Sequence, residues 1–238
     1  QILDRIGLLF VSTNVGPIHD QFTTDQLHAL PKVLSAPRFS TYLRETAGDR
    51  EHALALYQWN LEVSAALMAP LHVLEVSVRN GIADAIEHRH GGAWPWTSGF
   101  VRSLTDPPRP HYSPKRDLKS CACTQPSTGK VIAELKFAFW EKMLTSRFQG
   151  RIWVTEFPRS FPDAPDGLPS SQLRAQLRSE IEEVRKLRNR IAHHEPIFSR
   201  DIAADLARIL TCIEWRNRAT RDWVSSIEQV SGLLGAKP

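Results

Sequence analysis

The sequence predicts an all-α protein: a helical bundle with an N-terminal helical extension and a long irregular central insertion. Three observations predict it. Apolar residues recur at steps of three and four over several long stretches, the period of a helix with one buried face. No stretch alternates at period two as a half-buried strand does. An apolar fraction of 42% with 24% charged residues supplies a core and a wetted surface.

Residues 1–24 show no sustained period and read as an extension. The apolar run at 6–11 is too short to span a membrane and precedes no clear cleavage site; no apolar run elsewhere reaches spanning length. Residues 25–48 read as a short helical lead-in broken by Pro31 and Pro37. The main helical domain occupies 49–235. Its first helix covers 50–68, and Pro70 restarts or kinks the chain. A second helix over 71–88 carries Leu71, Leu74, Val78, Ile82 and Ile86 in phase. Glu75 and Arg79 run along one edge of that stripe, spaced for an intrahelical ion pair. Asn80 lies on the opposite side.

About 91–128 there is no pattern, which reads as a loop insertion or lid. Trp94, Trp96, Arg102, Arg109 and His111 within it are residue types that stack on and pair with single-stranded RNA, although loop aromatics more often dock a loop onto a core. Ser127-Thr-Gly-Lys130 is not a phosphate loop: the first Gly is missing and no strand precedes it. A helix follows over 129–144, then a Pro-rich connector over 147–170. A helix over 200–218 and a closing segment over 223–234 complete the bundle.

The strongest helical pattern is 171–193. Leu173, Leu177, Ile181, Val184, Leu187 and Ile191 are separated by four, four, three, three and four residues, one stripe along an amphipathic helix. At roughly 100° per residue, Asn189 and His193 fall opposite Leu187 and Ile191, in line with Arg185. Arg188 sits on the flank. Pro196 forbids continuation, so His193 occupies the last turn, where the negative end of the helix dipole favours a cation. An arginine, an amide and a titratable imidazole are thus expected on one wet helix end.

Arg188-Asn189-x3-His193 resembles the catalytic motif of the HEPN ribonucleases, small helical domains that pair to cut RNA. The longer run from Leu187 to Ile197, Leu-Arg-Asn-Arg-Ile-Ala-His-His-Glu-Pro-Ile, resembles the Abi-like (abortive infection, AbiD/AbiF type) phage-defence proteins. Matching segments lie at 36–43, at Trp59-Asn60-Leu61 and at 129–140. Arg followed at four to six residues by His is expected roughly twice by chance here; adding the adjacent Asn and fixed spacing lowers that to roughly 0.02.

The resemblance implies a HEPN-like bundle and a metal-independent endoribonuclease with no cofactor, in which a homodimer brings two motifs to one cleft. Arg188, Asn189 and His193 would be catalytic, with Arg185, His194, Arg79 and Asn80 as further RNA contacts. RNA is then the partner, either as substrate or as a bound structured small RNA on a non-cleaving scaffold, the alternative reading. Nothing in the sequence identifies an antitoxin. A metal site of His193, His194 and Glu195 is disfavoured because adjacent helical residues diverge. A third reading has Arg188 and His193 merely capping carbonyls.

Net charge is +4, and the 30 basic residues comprise 22 Arg and 8 Lys. Arg is the better phosphate fork and base-stacker, a lean toward nucleic acid that a GC-rich genome also produces. Three cysteines cannot all pair, and Cys121-Ala-Cys123 lacks zinc-ribbon spacing, so a reduced, cytoplasmic location is expected.

Overall fold

The computed structural model describes residues 22–238; the reading of 1–21, with its apolar run, lies outside the described residues. Among them every regular element is helical and no strand occurs, so the chain is all-α. Two compact units divide at Glu62/Val63, inside a helix, with Gly235–Pro238 counted with the first unit.

The first unit holds α1 (Thr24–Val33), α2 (Ala36–Glu45) and the opening turns of α3 (Arg50–His90). Thr23 and Gln26 close a capping box over the start of α1, with Gln26 N–H donating to Thr23 Oγ1 at 3.2 Å and Thr23 N–H to Gln26 Oε1 at 2.8 Å. Pro31 lies inside α1, and Pro37 sits in the first turn of α2, where a missing N–H removes nothing the helix needs. Phe39, Tyr42, Leu54, Leu56 and Trp59 are buried here.

In the second unit α3 continues through Pro70 to His90 without a break. Val63, Leu67, Leu71, Leu74, Val78, Ile82 and Ile86 form one stripe of fully buried residues. Read as one helix, α3 is long and apolar enough to cross a membrane, with a best 18-residue mean hydropathy of 1.4. This corrects the expectation that no apolar run reaches that length; Pro70, expected to restart or kink the chain, lies inside the continuous helix. Gly81 leaves a gap on α3 that the Arg216 side chain fills. A Cβ there would lie 3.2 Å from Arg216 Nε, and the same guanidinium donates to Asp84 Oδ2 and Ser160 O, each at 2.8 Å.

The central insertion, expected to be irregular throughout, is so only in part, at 104–113. A 3₁₀ turn (Trp94–Trp96), α4 (Ser98–Ser103) and α5 (Pro114–Thr124) occupy it. Trp94, Phe100 and Leu118 are fully buried, and Trp94 packs edge-on against Phe100 and Trp140, with ring centroids 5.2 and 6.4 Å apart. Trp96 keeps its ring half-exposed but donates Nε1–H to Ala122 O at 2.9 Å. Arg116 gathers the proline-rich stretch, donating to Asp106 Oδ1, Pro107 O and His111 O at 2.6, 2.7 and 3.0 Å. The six-residue α4 is too short to show a period, whereas α5 buries Pro114, Leu118 and Cys121 at steps of four and three; short helices such as these depend on tertiary burial.

The single helix expected over 129–144 is two, α6 (Thr128–Glu134) and α7 (Phe137–Met143). The expected connector is also ordered: a π-helical turn (Gln149–Trp153) runs into α8 (Val154–Ser160), with Trp153, Phe157 and Phe161 buried against one another. Then come α9 (Ser170–Ala192), α10 (Ile202–Arg216), α11 (Arg218–Ile227) and α12 (Val230–Leu234). Asp201 and Asn217 accept backbone N–H groups to cap α10 and α11. The α9 stripe is buried from Leu173 through Leu187, while Ile191 is only half-buried.

Candidate functional site at the C-terminal end of α9

The helix α9 ends in a defined turn. His193 is its C-cap, with φ −94° and ψ 8°, and His194 follows in the left-handed region at φ 56°. Glu195 N–H donates to Arg190 O at 2.8 Å and His194 N–H to Ile191 O at 3.0 Å, the paired bonds of a Schellman motif. Arg190 reinforces the turn from the side: Nε–H and an Nη2 hydrogen reach Pro196 O at 3.1 and 2.7 Å. Ile197 and Phe198 then dive into the core. The His193-His194-Glu195-Pro196 corner is pinned at both ends, so His193 stands on a fixed backbone.

Arg188, His193 and His194 are exposed and Asn189 is half-buried. Arg188 Nε–H donates to Glu75 Oε1 on α3 at 3.0 Å, with the guanidinium side chain 45% exposed and the carboxylate 27%. Glu75 therefore turns across to α9 instead of forming the expected pair with Arg79. The Arg79 Nε is buried without a hydrogen-bond partner among the described residues, and Asn80 is exposed. No hydrogen bond joins the Asn189 and His193 side chains, which share a helix edge by spacing alone.

Arg185, expected as an RNA contact, is paired with a buried carboxylate. Its Nε–H donates to Glu141 Oε2 at 2.7 Å, and Lys142 Nζ and Arg178 Nη2 lie 3.1 and 3.4 Å from Glu141 Oε1. Glu141 is only 1% exposed, and a buried carboxylate needs such partners. Burial pushes its pKa up, but the Lys142 and Arg185 hydrogen bonds and charges more than offset this and hold it below the usual glutamate value.

A shallow cleft of about 290 Å³ lies elsewhere, lined by Asp84, Glu87, His88, Arg159, Ser160 and Arg216. At 1.5 Å per helical residue, its α3 residues lie roughly 14–20 Å along the helix from Glu75. His88 Nδ1 is 3.2 Å from Glu156 Oε2 there, and acidic and basic groups balance. Among the described residues no three His, Cys, Asp or Glu side chains converge to hold a metal ion.

No family model, curated protein or solved structure matches the chain. The site therefore rests on its own geometry. Glu75, Arg190 and Glu141 are the residues that sequence reading did not connect to it. Only Arg190 left a signal, as a cation three residues before the helix cap with a proline carbonyl in reach.

Proposed function

We propose that this protein is a HEPN-type ribonuclease of the Abi-like kind, acting in phage defence. It cuts RNA without a metal ion, at a cleft shared by two copies of the chain. The observation that carries the reading is the end of α9. Arg188 and His193 both stand in solvent on a helix terminus whose backbone is locked, and neither is consumed in the core.

RNA carries its own nucleophile. The 2′-hydroxyl oxygen forms a bond to the adjacent phosphorus while the bond to the 5′-oxygen breaks, leaving a 2′,3′-cyclic phosphate. A base must take the hydroxyl proton and an acid must protonate the leaving oxygen. Imidazole serves either step near neutral pH. One His193 does not fill both roles in one step, so a second copy supplies the other. Arg188 keeps its charge throughout and stabilises the crowded phosphate. Asn189 orients His193 or the scissile group, and His194, Arg79 and Asn80 offer further contacts. Three unpaired cysteines, two of them buried, favour a reduced compartment such as the cytoplasm.

Cleavage of single-stranded RNA by purified protein in EDTA tests this. Arg188→Ala and His193→Ala should each lower the rate by about 10²–10⁴-fold with melting unchanged; undiminished cleavage by both sinks the reading. In a second reading the protein holds a structured small RNA without cutting it. Tightly co-purified RNA and no cleavage of added RNA would select it.

A further inference from the structure

On α3, Glu75 has a cation one turn along its own helix, Arg79, in the position where an intrahelical pair forms readily. It reaches instead to Arg188 on α9. The contact is side-on. Glu75 Oε1 takes the Nε–H of Arg188 at 3.0 Å, and among the described residues no hydrogen bond occupies the two terminal nitrogens. The carboxylate is the more sheltered member, at 27% against 45% for the guanidinium. Glu75 stands between Leu74 and Val78, whose side chains are fully buried in the α3 stripe, so its Cα belongs to a rigid element.

We propose that Glu75 is the positioning residue of Arg188. By holding the Nε–H it fixes the plane of the guanidinium and presents the terminal Nη edge outward, the edge that engages a phosphate with two parallel hydrogen bonds. An arginine held by one carboxylate in its binding geometry loses less freedom when the anion arrives. The inference rests on the reading of Arg188 as an RNA phosphate contact, and it applies whether or not the RNA is cut. It runs against simple charge counting, by which removing an acidic group beside an RNA site strengthens binding.

The test measures affinity for a 2′-fluoro RNA 20-mer, which lacks the attacking hydroxyl, by the full chain and its Glu75→Ala, Glu75→Gln, Arg188→Ala and doubly substituted Glu75→Ala/Arg188→Ala variants. Melting curves confirm folding. Glu75→Ala should weaken binding by about 3–10-fold, while Glu75→Gln, which keeps an acceptor oxygen for the Nε–H, stays within about twofold. With Arg188→Ala already present, Glu75→Ala should change nothing further. Tighter binding by both Glu75 variants would identify a latch that occupies Arg188, and overturns the proposal. Equal weakening with and without Arg188 overturns it as well. Cleavage of ordinary RNA by the unsubstituted chain is read separately. Coupling without cleavage removes the nuclease reading and leaves Glu75 as the positioning residue.

Discussion

His194 carries the sharpest local conflict at the α9 end. At φ 56° it occupies the left-handed conformation, which for residues with a Cβ costs roughly 1–2 kcal/mol and which glycine adopts freely. The Schellman bonds on either side require that conformation. His194→Gly should therefore raise stability by about 1 kcal/mol, read as a higher denaturant midpoint at constant m-value. A drop in stability would mean that the imidazole contributes more than its backbone conformation costs. Any accompanying loss of RNA affinity would mark the side chain as a contact. The residue scale is also where sequence reading was strongest and weakest. Arg188 and His193 lie on the solvent-facing helix end that their spacing assigns them. The partners of Arg188, Arg185 and Glu75 are long-range, and spacing along one helix carries no information about them.

At the scale of the elements, α9 is a stripe of buried aliphatic residues flanked by a row of arginines that satisfy one buried acid. Leu173, Leu177, Ile181, Val184 and Leu187 each add about 1.5–3 kcal/mol by burial, which holds the helix in place. Arg178 and Arg185 then link it to Glu141 on α7. Removing Arg185 leaves Glu141 with Lys142 and Arg178, so Arg185→Ala should destabilise by about 1–3 kcal/mol without abolishing folding. The folded pKa of Glu141 lies below its ordinary value of 4.5. Its contribution is thus complete above that value and fades as pH falls through the lower, folded one. A pH series of denaturation midpoints should show this acid-side loss in the unsubstituted chain and less of it in Glu141→Gln. An identical acid slope in both would assign the loss to other carboxylates. In the central segment Trp94 packs against Phe100, Phe139 and Trp140, and Phe100 and Leu118 are fully buried on α4 and α5; the six residues of α4 are too few to show a period.

For the whole molecule, the proposed chemistry demands two copies of the α9 end, because one imidazole does not act as acid and base together. Subunit exchange between unsubstituted chains and His193→Ala chains tests the count. A site built from both copies loses activity as the square of the unsubstituted fraction, so an equal mixture should retain about a quarter. A linear decline to about half would show that each chain acts alone. By itself the sequence determined the helical class, the buried stripe of α9 and the seating of Arg188 and His193 on a wet helix end. These follow from the 3.6-residue period, a local property of the chain. Tertiary structure alone decided that α3 passes through Pro70, that the central segment is helical, that Arg185 serves Glu141 and that Glu75 holds Arg188. Each of those depends on which surfaces meet, and burial and charge pairing between distant segments leave no mark in the spacing of either one.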